Sequence, residues 1–118
     1  FRLCDGLALA NDVKIVMEYQ RRYPATINSQ AETEIAANAA TYVVGAERFS
    51  SVAQPSLSSE DFAFMLNERP GCYIRLGNGS TKNGCTLHSP TYDFCDDALI
   101  YGAAYWIKLA ATALSAIK

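Results

Sequence analysis

Histidine occurs once in these 118 residues, at His88, and tryptophan occurs once, at Trp106. One imidazole cannot close a zinc site, which takes about three or four protein ligands. Within this chain the partners of His88 would have to be carboxylates or cysteines from distant segments, and none stands at a ligand-like spacing. The four cysteines, Cys4, Cys72, Cys85 and Cys95, form no C-x-x-C pair. That excludes a zinc knuckle or a thioredoxin-like motif, and reduced thiols in a cytoplasmic protein are the expectation. Charge is sparse and nearly balanced, with a formal net charge of −2. No basic footprint marks a nucleic-acid partner. A phosphate loop of the form G-x-x-x-x-G-K-[ST] is missing, as are internal repeats and low-complexity tracts. The chain opens on Phe1 rather than Met and carries no leader pattern. Phe1-Arg2-Leu3-Cys4 reads as the middle of something longer.

What is present points to a globular α/β domain of ordinary size, since half of the residues are hydrophobic. Leu3, Leu7 and Ala10 recur at helical spacing, with Asn11 placed to cap the helix C-terminus. Val13, Ile15, Met17 and Tyr19 alternate with Lys14, Glu18 and Gln20, the pattern of an antiparallel or edge strand. Tyr23-Pro24 ends it. Ser29-Gln30-Ala31-Glu32 has the form of a capping box opening a second helix. Its apolar stripe is Ala31, Ile35, Ala39, Tyr42, Val43 and Ala46.

Residues 49–57 read as a short strand. Ser58 with Asp61 resembles another capping box, and Phe62, Met65 and Leu66 are expected to face inward on the helix that follows. Glu60 and Asp61 suit the dipole of a helix first turn; the alternative is that one lines a pocket or supports a ligand. After Pro70-Gly71, residues 72–76 read as a buried strand. The glycine-bearing loop 77–84 follows, where Gly77 lets backbone approach a neighbour or a ligand.

Leu87-His88-Ser89-Pro90-Thr91-Tyr92-Asp93-Phe94 is the stretch with the most chemistry in it. Imidazole is the commonest transition-metal ligand and the commonest general base near neutral pH. Asp96 or Asp97 caps the last helix, predicted to run to about Ile117. Its apolar residues, from Leu99 to Ile117, go nearly all the way round, so the helix is either buried on several sides or membrane-spanning. Lys108 stands mid-segment, where a charge is costly in a bilayer. A packed helix in a layered domain is therefore preferred, with no membrane partner.

Read together, Ser59-Glu60-Asp61-Phe62-Ala63-Phe64, Pro70-Gly71, Leu76-Gly77, the Leu87–Phe94 stretch, Asp97-Ala98-Leu99 and Gly102-Ala103 follow one order. That series resembles the C-terminal end of the M20 metallopeptidase family. It is most similar to the amidohydrolase branch of hippurate, N-acyl-amino-acid and auxin-conjugate hydrolases. Tyr23-Pro24-Ala25-Thr26-Ile27-Asn28 resembles the passage out of that family's lid domain.

The resemblance implies a fold of mixed sheet flanked by helices, the C-terminal part of a layered α/β catalytic domain. Residues 1–22 would be the tail of an inserted α+β lid that also mediates homodimerisation, and residues 23–118 the end of the catalytic domain. It further implies two divalent metal ions (Zn, Mn, Co or Ni), an N-acyl amino acid or small peptide-like substrate, and amide hydrolysis. His88 matches the family's last metal ligand, with Ser89-Pro90 holding the backbone behind it. Glu60, Asp61, Gly77 and Ser89 are candidates for the substrate pocket or for support of the ligand. A bound metal both polarises a carbonyl and lowers the pKa of its water. The family's remaining ligands and its general base, which include an adjacent glutamate pair and further histidines, have no counterpart here. The expectation is a C-terminal piece of such an enzyme, inactive alone. The alternative is a non-catalytic structural or self-associating α/β module.

Overall fold

The structure, a computed structural model, describes residues 1–79 and 87–115. Four helices follow one another, α1 (Arg2–Ala10), α2 (Gln30–Val44), α3 (Phe62–Glu68) and α4 (Asp97–Ser115), with a single 3-10 turn at Ala46–Arg48. All four lie where apolar periodicity places them. Asn11 closes α1 as expected, its backbone N–H donating to Leu7 O at 3.2 Å and its Nδ2 to the same oxygen at 2.9 Å. Gly45 ends α2 at φ 81° and ψ 158°, a region open almost only to glycine.

Among the described residues, α2 and α4 are the one pair of α-helices that pack on one another. Ala36 and Ala39 of α2 and Tyr105 of α4 are buried, as is Ala63 of α3. Small side chains on α2 let the helix axes approach, and the Tyr105 ring supplies the bulk. Burial pushes the Tyr105 phenol pKa up. Lys108, the charge in the middle of α4, sits 4.0 Å from the centroid of the Tyr42 ring, a cation–π contact. Leu76 lies over the bare backbone of Gly102, where an added Cβ would come within 3.4 Å of it.

The expected sheet is not there. No residue in the described segments is in a strand, so the α/β class, with its mixed sheet flanked by helices, is corrected to helices joined by irregular segments. Residues 13–19, 49–57 and 72–76 have strand-like side-chain patterns and no ladder. The pattern sets which face is apolar, but the stability of a strand comes from neighbours on both sides. Val13, Ile15, Met17 and Tyr19 are all exposed. The same shortage of neighbours shows in the size of the molecule. Its Cα radius of gyration is 20.7 Å, where a compact domain of this length has about 13–14 Å.

One asparagine side chain and its neighbour do part of the work of a ladder. Asn28 Nδ2 donates to Tyr73 O at 2.9 Å and Asn28 Oδ1 accepts from Tyr73 N at 2.8 Å. Next to it, Ser29 N donates to Gly71 O at 2.9 Å, and Gly71 N returns a bond to Ser29 Oγ at 3.2 Å. The carboxamide has the donor and acceptor of a peptide group, so it pairs with the backbone as a neighbouring strand would. This also corrects the first capping box. Ser29 is the N-cap of α2 but makes no side-chain cap bond, because its hydroxyl is taken by Gly71. The second box is likewise not formed. Asp61 is the N-cap of α3 without a side-chain cap bond, and the Ser58 hydroxyl pairs with that of Ser56 at 2.7 Å. On α3, Met65 is exposed rather than inward, since no layer covers that side.

α4 is long and apolar enough to cross a membrane by length and composition. Among the described residues, α2 packs on it, Leu76 meets it at Gly102, and Arg48 Nη1 donates to its Tyr101 hydroxyl at a long 3.5 Å. Leu99, Ile100, Trp106, Ile107 and Leu114 remain exposed.

Candidate functional site

His88 lies in the segment between Leu87 and the start of α4. It is exposed and its backbone has φ 66°, the left-handed region that a side chain rarely adopts. One residue on, Ser89-Pro90-Thr91-Tyr92 forms a β-turn, with Tyr92 N donating to Ser89 O at 3.0 Å. Proline at the second position pre-sets that turn. The Ser89 hydroxyl is 3.0 Å from that of Thr91 and accepts from Thr91 N at 3.3 Å. The Ser89 hydroxyl thus braces the turn that follows His88. Beyond the turn, the Tyr92 and Phe94 rings meet edge to face with centroids 5.0 Å apart.

The far side of this segment is held by Asn78, the residue after Gly77. Asn78 Oδ1 accepts from Cys95 N at 2.9 Å. Its Nδ2 donates to the Tyr92 hydroxyl at 2.7 Å and, at a long 3.5 Å, to Asp93 O. Gly77 is exposed, and a Cβ added to it would meet nothing within 4 Å. It therefore has no packing reason to be glycine here.

Glu60 and Asp61 are each engaged by a tyrosine. Tyr73 donates its hydroxyl to Glu60 Oε2 at 2.8 Å, and Phe62 N donates to Glu60 Oε1 at 3.3 Å. The Tyr73 hydrogen bond, helped by the Phe62 amide, holds the Glu60 carboxyl below its usual range, and the same bond holds the Tyr73 phenol above its own. The Tyr23 hydroxyl lies against the Asp61 carboxylate, which raises the Tyr23 pKa. Ring contacts parallel these bonds, Tyr23 with Phe64 at 5.6 Å and Phe62 with Tyr73 at 5.7 Å. The S-E-D-F motif thus gathers Tyr23, α3 and Tyr73 into one cluster, separate from the bonds that hold the His88 turn.

An exposed imidazole suits a transition-series divalent ion as one donor. Among the described residues, however, no group of three or more His, Cys, Asp or Glu converges to hold such an ion.

Comparison with known proteins then places the chain. Residues 7–112 match the model of Peptidase family M20/M25/M40. The chain belongs to this family. A hippurate hydrolase of Campylobacter jejuni is 31% identical over 110 residues, 93% of this chain and 28% of that protein. An IAA-amino acid hydrolase of Arabidopsis thaliana, ILR1-like 4, is 27% identical over 108 residues, 90% of this chain and 24% of that protein. Thermostable carboxypeptidase 1 of Saccharolobus solfataricus is 32% identical over 94 residues, 75% of this chain and 22% of that protein. The chain spans about a quarter of the length of these relatives. No solved structure matches it.

Within this M20 chain, sequence reasoning missed Asn28 and Asn78. Residues 77–84 read as a glycine-bearing loop, of which residues 80–84, and Cys85 beyond them, lie outside the described residues. A lone polar residue beside a strand-like run gives no spacing signal. Tyr23 and Tyr73 were legible only as aromatics. Their hydroxyls acquire meaning when folding sets Glu60 and Asp61 opposite them.

Proposed function

We propose that this chain is the C-terminal part of a metal-dependent amidohydrolase that cleaves the amide bond of N-acyl amino acids, with His88 as one metal ligand. The observation that carries this is the family match across residues 7–112, which takes in the S-E-D-F and L-H-S-P motifs together. The names of the relatives point to hippurate-like substrates. The exposed imidazole, set ahead of a braced turn, supports its use as a donor to groups that lie elsewhere in the enzyme. Two ions, drawn from zinc, manganese, cobalt and nickel, are the reading for the centre, to which this chain contributes one ligand. The piece alone is inactive, because it carries a single donor and no general base.

The division at Tyr23 is part of the same reading. Residues 1–22 are the end of a lid domain and residues 23–118 the end of the catalytic domain. In support, among the described residues α1 packs on none of the other helices, whereas Tyr23 joins α3 through Phe64 and Asp61. The exposed apolar residues of the 13–19 segment fit a lid that pairs with its copy in a homodimer. The uncovered side of α4 fits a helix that the rest of the catalytic domain covers.

The test is hydrolysis of N-benzoylglycine by the full-length protein, supplied in turn with each of the four metals. His88→Ala should lower kcat/KM by more than about a hundredfold, since losing a mere support of a ligand costs about 10–100-fold. Turnover close to that of the parent in the His88→Ala protein would remove the ligand assignment.

A further inference from the structure

We infer that Asn78 is a positioning residue for His88, acting through the 89–95 segment. The inference rests on the reading of His88 as a metal ligand and extends it to a residue with no chemistry of its own. His88 is held at φ 66°, a conformation that persists only where the surroundings over-determine it. The first constraint is local, the Ser89–Tyr92 turn, closed by Tyr92 N to Ser89 O at 3.0 Å. A turn fixes the shape of four residues, yet it does not fix where those residues sit relative to the rest of the molecule. That second constraint comes from Asn78. Its carboxamide takes the Tyr92 hydroxyl at 2.7 Å, Cys95 N at 2.9 Å and Asp93 O at 3.5 Å.

Both ends of one side chain are used, so the amide plane is fixed, and with it three points along 92–95. Leu76, two residues before Asn78, lies against Gly102 of α4. Asn78 therefore connects the His88 turn to a residue run that is itself seated on the longest helix. Ligand placement is sensitive to such support, and loss of an outer hydrogen-bond partner typically costs 10–100-fold in metal affinity or activity.

The experiment uses the full-length protein. Cobalt(II) affinity is read by chelator competition, with the visible d–d spectrum of the bound ion. Amide exchange across residues 87–96 in the metal-free protein and the melting temperature are read beside them. Asn78→Leu, close in shape and unable to hydrogen-bond, should weaken cobalt binding by at least about tenfold, alter the d–d bands and speed exchange at Cys95. Asn78→Asp should restore most of the affinity. A carboxylate still accepts from Cys95 N, and the Tyr92 hydroxyl reverses to become its donor.

Parental affinity and spectrum in a folded Asn78→Leu protein, with His88→Ala having lost binding, overturn the inference and leave the ligand reading intact. Parental binding and turnover in His88→Ala overturn the ligand reading itself. If Asn78→Leu does not fold, Tyr92→Phe decides, since it deletes one hydroxyl and keeps the ring against Phe94. A smaller loss of affinity with altered bands supports the inference, and parental behaviour overturns it.

Discussion

Replacing Asn28 with Ala tests whether a single carboxamide stands in for a strand. The side chain makes two bonds to the backbone of Tyr73, at 2.9 and 2.8 Å. Each such bond contributes about 0.5–1.5 kcal/mol net. The pair lies at the surface, where water replaces a lost partner cheaply, so the lower half of the range applies and the clamp is worth about 1–2 kcal/mol. That corresponds to a factor of about 5–30 in a local opening equilibrium. The direct assay is hydrogen exchange at the Tyr73 amide, whose N–H is bonded to Asn28 Oδ1. It should exchange about 5–30 times faster in Asn28→Ala. Asn28→Asp sharpens the test. It keeps the acceptor for Tyr73 N but sets a carboxylate oxygen against Tyr73 O, two acceptors face to face, so the Tyr73 carbonyl loses its donor. Asn28→Asp should therefore recover only part of the protection. If Tyr73 exchanged at the parental rate in Asn28→Ala, the clamp would carry no energy and the account of the missing ladder would be wrong.

Three further outcomes follow from the same contacts. Glu60 has a depressed pKa, so its contribution to stability is present above the pKa of the unfolded carboxyl and is lost as pH falls through the folded value. Tyr73 has a raised pKa, so its share is present below the ordinary tyrosine value and is lost as pH rises through the folded one. Urea midpoints measured across pH should show both limbs, and Tyr73→Phe should flatten both. Gly45→Ala places a side chain at φ 81° and ψ 158° and should destabilise by about 1–3 kcal/mol in thermal unfolding; an unchanged melting temperature would count against the backbone argument. Tyr105→Ala removes the one large buried side chain among the described residues and should cost about 3 kcal/mol, read as loss of the cooperative transition between α2 and α4.

The helices were legible in the sequence because helix hydrogen bonds are local. Asn11 after α1, the alanine stripe of α2, Pro70-Gly71 after α3 and the apolar run of α4 each announce an element without knowledge of the rest. The strands were not, because residues 13–19 and 72–76 reveal a period of two but not who pairs with them. Within the site, His88 and its Ser89-Pro90 brace could be picked out from the motif. The occupations of Glu60, Asp61 and Asn78 could not, since each depends on a partner 13 or more residues away or, for Asp61, on Tyr23. The stripe on α2 held only in part. Ala39 is buried and Ile35 and Val43 are half-buried, but Ala31, Ala46 and Tyr42, which stands 74% exposed beside Lys108, are exposed, and the second buried residue, Ala36, lies outside the stripe.

The pairing of α2 with α4 also sets an order in time. About 50 residues separate the end of α2 from the start of α4. At about 5–20 residues per second, a ribosome takes roughly 3–10 s to make them. Throughout that interval Ala36 and Ala39 have no Tyr105 to face, and the growing chain presents an alanine-rich helix without α4. Completion of the α2–α4 contact therefore waits until α4 has been made, and a chain stopped before Asp97 would keep the Asn28–Tyr73 and Ser29–Gly71 bonds but leave that face of α2 without its partner.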